Sequence, residues 1–185
     1  MHLSKSVNRS FAGISSGTPS SLFTNLSLKM KLPKLEKIII GSAREKLYYV
    51  DTVIAVPGRG LMGDRYFDGK GTFNHPALSQ TGRELSMIDI NALYECNERI
   101  GSDLDFTDLR RNLVVSNLDF DAIKRKPFWI GNVKLKINRT APPCQYLSKL
   151  LSVDIMKGLK YNGGYRVDIL TCGEISIGDE IRYKE

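Results

Sequence analysis

From Lys34 onward, apolar residues come in short alternating or continuous runs, not in long helical stripes. Leu35 to Ile40 and Tyr48 to Val56 are rich in β-branched and aromatic residues and predict strands. The second run ends at Pro57-Gly58 and opens a glycine-rich loop that reaches Gly71. Glu84 to Ile88 predicts a further short strand. Asp89 is placed to cap a helix running to about Ile100, with Ile90, Leu93 and Ile100 on one face. Leu109 to Ser116 and Phe128 to Ile137 each read as a strand. A Gly163-Gly164 turn precedes a strand over Tyr165 to Thr171, and the alternation from Glu174 to Ile181 is broken by a Gly178-Asp179 turn. Seven or so short strands with two or three interspersed helices predict a mainly β fold, a mostly antiparallel barrel with helical insertions.

The first 33 residues differ from this pattern. They are serine-rich and free of acidic residues, which fits a transit peptide, a disordered tail or a translation start placed upstream of Met30. The expected organisation is an extension over 1–33 and one domain over 34–185. The chain of 185 residues is 42% hydrophobic and 25% charged, which suits one domain with a proper core. No apolar run approaches the roughly 20 residues that span a bilayer, so no membrane partner is expected.

The net charge of +7 invites a nucleic-acid reading. Residues 1–34, however, hold five basic residues (Lys5, Arg9, Lys29, Lys31, Lys34) and no acidic one, leaving 22 basic against 20 acidic residues. A nucleic-acid binder carries its charge as a stripe on the folded part, so no nucleic-acid partner is expected. Three cysteines with no CxxC pair make neither a disulfide framework nor a zinc ribbon, and free thiols fit the cytoplasm. With only His2 and His75, histidine-rich metal chemistry and a Ser-His-Asp triad are not expected.

Gly58-Arg59-Gly60-Leu61-Met62-Gly63 matches GxGxxG, with Glu84 about 20 residues on. A dinucleotide site needs a helix to begin within the motif, and Asp64-Arg65-Tyr66-Phe67-Asp68-Gly69-Lys70-Gly71 cannot sustain one. The loop has a second possible use, since its glycines expose N–H groups and Arg65 offers a planar fork to an anion. Equally, Asp64 and Arg65 can pair and simply fix the loop. Arg110, Arg111 and Asn112 stand just before the apolar Leu113-Val114-Val115. Guanidiniums opening a buried strand require a partner, either a bound anion or a carboxylate such as Asp105 or Asp108.

Cys144 carries the most chemistry. Pro142 and Pro143 forbid continued sheet pairing, and Tyr146, Leu147, Leu150 and Leu151 then fall at helical spacing. The cysteine therefore sits at a strand-to-helix junction, where free N–H groups favour a thiolate and Arg139 adds to the effect. It is a nucleophile, a sulfur carrier, a soft-metal ligand or an inert packed thiol. Cys96, on the helix, and Cys172, at a strand end, read as packed or idle thiols.

Taken in order, Gly63-Asp64-Arg65-Tyr66-Phe67, Leu109-Arg110-Arg111-Asn112-Leu113, Pro143-Cys144 with Leu147, Gly163-Gly164-Tyr165-Arg166 and Ile177-Gly178-Asp179-Glu180-Ile181 resemble the MOSC domain. That family is named after the C-terminal domain of molybdenum cofactor sulfurase, and the resemblance is to its small stand-alone members. It covers roughly residues 35–185. It implies a β-rich barrel, the molybdenum cofactor (molybdopterin) and one functional cysteine. By position Cys144 is that cysteine, ligating molybdenum or carrying sulfur as a persulfide, while Arg65, Arg110, Arg111, Asn112 and Arg139 are the expected cofactor-binding residues. The family's enzymes reduce N-hydroxylated compounds, so a small-molecule substrate is expected. The pyridoxal-phosphate-dependent desulfurase domain of the large sulfurases has no counterpart here, nor has any flavin or iron–sulfur domain. A separate electron or sulfur donor protein is therefore expected. A non-catalytic anion-binding module is the remaining alternative.

Overall fold

The structure is a computed structural model that describes residues 31–72, 74 and 82–184. The expected N-terminal extension lies almost wholly outside the described residues. So does His75. Among the described residues no helix is long and apolar enough to cross a membrane.

Among the described residues, eleven strands and four short helices follow one another. In order they are β1 (Lys34–Ile40), β2 (Tyr48–Val50), β3 (Thr52–Val56), β4 (Gly60–Leu61), β5 (Leu85–Asp89), α1 (Asn91–Ile100), β6 (Leu113–Ser116) and α2 (Phe120–Ile123). Then come β7 (Pro127–Ile130), β8 (Val133–Thr140), α3 (Gln145–Leu151), α4 (Ile155–Gly158), β9 (Tyr165–Ile169), β10 (Gly173–Ser176) and β11 (Ile181–Tyr183). Eight strands form a sheet in the order β11-β7-β8-β9-β5-β6-β1-β2, and β10-β3-β4 form a second, three-stranded sheet. Only β5 and β6 are parallel, joined through α1; every other pair is antiparallel. The large sheet curls into a half-barrel. Its β11 end returns to β1, where Lys34 pairs with Glu180 and the N–H of Leu35 donates to Asp179 O at 2.9 Å.

The core lies on both sides of the curled sheet. Leu35, Ile38, Leu85, Met87, Leu113, Val115, Phe128 and Val167 point into the barrel. Ile39, Ile88 and Val114 point the other way, against Leu93 and Cys96 of α1, Leu147 of α3 and Ile155 of α4. Central strands buried on both faces explain why β1 and β6 read as continuous apolar runs and not as an alternation.

Several elements differ from the sequence expectation. Tyr48 to Val56 is two strands, one in each sheet. Phe128 to Ile137 is a hairpin, turned at Gly131-Asn132 with Gly131 at φ 55°, a left-handed conformation suited to glycine. Leu109 to Asn112 precedes the strand and does not belong to it, and Arg110 takes φ 56° there. Asp89 ends β5, and its carboxylate accepts the N–H of Asn91 at 2.8 Å from one residue before the cap position.

Candidate functional site

The chain leaves β8 at Thr140 and passes through Ala141, Pro142 and Pro143 to Cys144, whose backbone is extended (φ −137°, ψ 154°). The Cys144 carbonyl then accepts the N–H groups of Leu147 and Ser148 at 3.0 and 3.2 Å, opening α3. The approach is pinned from the neighbouring turn, where the N–H of Ala141 donates to Gly164 O at 2.8 Å. Gly163 packs so closely that a Cβ there would stand 2.6 Å from Ala141 O.

Arg111 locks this junction. Its Nε donates to Gly163 O at 2.8 Å, its Nη2 to Ala141 O at 2.9 Å and its Nη1 to Leu109 O at 3.4 Å. All its acceptors are carbonyls, so a buried cation stands here without a carboxylate. Asp105 and Asp108 are engaged elsewhere, with Tyr49 and Thr107 and with the N–H of Asp105. Burial, reinforced by the charge of Arg166, lowers the Arg111 guanidinium from its ordinary range to about 10.

The half-buried Cys144 opens on a hollow of about 290 Å3 that Arg83, Arg111, Arg139 and Arg166 line together with Tyr66. A small pit of about 40 Å3 adjoins it and adds Arg65 and Arg110. The Tyr66 ring lies beneath two of the cations, 5.1 Å from the Arg65 guanidinium and 5.7 Å from that of Arg166. Four ion pairs occur among the described residues, and Arg65–Asp64 is the one at this site. Six guanidiniums thus surround one thiol with a single carboxylate among them. A larger cavity, about 730 Å3, lies along β1 and the start of α1. There Glu36 is already engaged by Lys34 and Ser116.

Beneath the hollow lies a polar plinth. Arg65 Nη1 meets Asp64 Oδ1 at 2.8 Å, and Asp64 also accepts from the N–H of Tyr66 and from Asn112 Nδ2. Burial holds the Asp64 carboxyl above its ordinary range, against the pull of Arg65. Asn112 spends its whole amide inside the fold. Its Oδ1 accepts from Ser86 N and Oγ, and its Nδ2 donates to Ile39 O as well as to Asp64.

A sequence profile of the MOSC domain matches residues 74–182. The chain belongs to the MOSC domain family. Solved structures similar to it include the YuaD protein from Bacillus subtilis, 20% identical, with a TM-score of 0.64 over 83% of this chain and 98% of that one. YiiM from Geobacillus stearothermophilus is 13% identical, with a TM-score of 0.61 over 83% of this chain and 75% of that one. YiiM from Escherichia coli is 15% identical, with a TM-score of 0.52 over 82% and 71%. At such identities the likeness shows the fold. No curated protein matches the sequence.

In this MOSC domain the expected site residues Cys144, Arg65, Arg110, Arg111 and Arg139 border the hollow or its pit. Asn112 does not, because it is fully buried in the plinth and lacks a free donor or acceptor for a ligand. Three polar residues lining the hollow were not predicted: Tyr66, Arg83 and Arg166. Arg166 had a readable signal, since Val167 and Ile169 face the barrel and an alternating strand turns Arg166 to the opposite side. Arg83 had none beyond being a charge at a strand's threshold. Cys96 is fully buried against α4 and burial pushes its thiol up, whereas Cys172 is exposed.

Proposed function

We propose that this MOSC protein binds the molybdenum cofactor and acts as a small oxidoreductase, with Cys144 as the thiolate ligand of molybdenum. The observation that carries this reading is the convergence of unpaired guanidiniums on one half-buried thiol. The residues fit such a group on two further counts. Among the described residues no group of three or more His, Cys, Asp or Glu stands ready to hold a metal ion. A lone thiolate suits a metal that arrives with sulfur ligands of its own. Arg139 and Arg166 line the hollow beside the thiol with no carboxylate partner among the described residues, as suits an anion.

When bound, the cofactor supplies the two-electron redox chemistry of molybdenum. Cys144 Sγ would hold it, Arg111 and Arg166 would offset the negative charge at the sulfur, and Arg110 and Arg139 would meet its phosphate. The reaction class is reduction of an N-hydroxylated compound. The N–O bond breaks, two electrons and two protons are taken up, and water leaves. The electrons come from a separate donor protein.

Protein made in a host with an intact cofactor pathway should contain molybdenum and pterin in equal amounts. The Cys144→Ala variant should keep pterin, held by the arginines, and lose reductase activity. Absence of both components from the native and variant proteins alike overturns the reading. The half-buried thiol supports a sulfur-carrier reading as well. Its thiolate would attack the terminal sulfur of a donor persulfide, forming a new S–S bond and releasing the donor thiolate. Mass spectrometry after incubation with a cysteine desulfurase would then show one added sulfur on Cys144. A non-catalytic anion-binding module would instead keep its ligand affinity in Cys144→Ser.

A further inference from the structure

Arg83 lies in the wall between two cavities. One is the Cys144 hollow; the other is a polar recess of about 220 Å3 on the far side, whose lining includes Arg59, Phe67, Asn74 and Glu84. Tyr66 borders both. The recess belongs to the glycine-rich segment after β3. Its Gly60 stands so near the Glu84 carbonyl that a Cβ there would come within 2.5 Å, which fixes the loop against the threshold of β5.

The donors of Arg83 explain why the recess is more than a gap. Nε and Nη1 are both buried and without a partner in the protein, so both are open to a bound acceptor. Their N–H bonds diverge around the planar guanidinium, so one oxygen atom cannot satisfy both. Arg83 can therefore meet an acceptor in the recess while the Cys144 hollow is filled. Arg59 adds a second guanidinium, 4.0 Å from the centroid of the Phe67 ring, with no carboxylate partner among the described residues. Glu84, the one acid of the recess, is occupied: its Oε2 accepts the N–H of Ile169 at 2.8 Å. Burial holds that carboxyl above its ordinary range.

We propose that this recess is an anion subsite in which Arg83 and Arg59 bind a carboxylate carried by the substrate that reacts at Cys144. The proposal rests on the cofactor reading above and adds a substrate class, N-hydroxylated compounds with an acidic arm. A charge-assisted hydrogen bond to a buried guanidinium contributes about 1.5–3 kcal/mol, or about ten- to a hundredfold in affinity.

The test compares benzamidoxime with 4-carboxybenzamidoxime on the cofactor-loaded protein, with reduced methyl viologen as electron donor. The carboxylated compound should show the lower KM. Arg83→Met should raise that KM about ten- to a hundredfold, leave kcat and the neutral substrate nearly unchanged, and retain molybdenum and pterin. Equal KM values for the pair in the native protein overturn the proposal. So does loss of molybdenum and pterin in Arg83→Met, which would make Arg83 a cofactor anchor. If Arg83→Met does not fold, Arg59→Ala, at an exposed position, should raise the same KM to a smaller degree, and no rise counts against the subsite. A second arm needs no activity. Saturation-transfer NMR of the native protein should detect benzoate but not benzamide, with the signal lost in Arg83→Met. Benzoate binding in a protein that never carries molybdenum sinks the cofactor reading and keeps the subsite; no benzoate binding in a molybdenum-loaded protein does the reverse.

Discussion

At the scale of single residues, Arg110 and Arg111 show how far neighbouring identical side chains diverge once the backbone turns. Arg110 adopts φ 56° and reaches out to Glu45 O, while Arg111 is buried and ties Leu109, Ala141 and Gly163 together. The fork geometry matters more than the charge, because a lysine donates from a single nitrogen and cannot span carbonyls that Arg111 meets with three. Arg111→Lys should therefore destabilise the fold by about 2–4 kcal/mol, as buried acceptors lose their donors. A urea titration measures it; a loss under about 0.5 kcal/mol, the range of ordinary surface changes, would mean the clamp carries no weight. The sequence showed a pair of arginines that needed partners. It did not show that the partners are carbonyls from segments 30 and 52 residues away, because no local pattern encodes such contacts. Asn112 is a similar case: a polar residue ahead of a strand looks free until the strand's neighbours are known, and here its amide is spent inside the fold.

Among elements, the junction from β8 to α3 was legible because its signals are local: two prolines end sheet pairing and a helical spacing follows. The β7–β8 hairpin was missed although Gly131-Asn132 is turn chemistry, since apolar residues on both sides masked the break. Gly163-Gly164 was read as a turn, and the structure adds that Gly163 also spaces the approach to Cys144. Gly163→Ala drives a methyl group to within 2.6 Å of Ala141 O, too close for van der Waals contact. Either the turn or the Cys144 approach must yield. Expected are a loss of about 1–3 kcal/mol in stability, as for overpacked sites, and slower alkylation or altered metal content at Cys144. Unchanged stability together with unchanged Cys144 reactivity would show that the two segments are not coupled.

For the whole molecule, the outstanding term is an excess of positive charge gathered at one place and matched by one buried acid. Mutual repulsion there is visible in Arg111, which burial first and Arg166 second push down to about 10. Cations crowded in this way favour an anion bound to the folded chain, and binding to the native state alone raises stability by RT ln(1 + [L]/Kd). Phosphate at about a hundred times its dissociation constant should add about 2.7 kcal/mol, or roughly 5–10 °C in Tm for a domain of this size. Chloride at equal ionic strength should do much less, since screening lacks the directed hydrogen bonds of an oxyanion. Arg166→Met separates this account from general salt stabilisation by having two signs. Without phosphate, removing a cation that faces Arg111 should leave Tm unchanged or raise it, because repulsion falls. With phosphate, the same substitution should shrink the gain, because a donor is lost. A Tm that falls without phosphate, or a phosphate gain identical to that of the native protein, would show that the arginines at Cys144 are not held in wait for an anion.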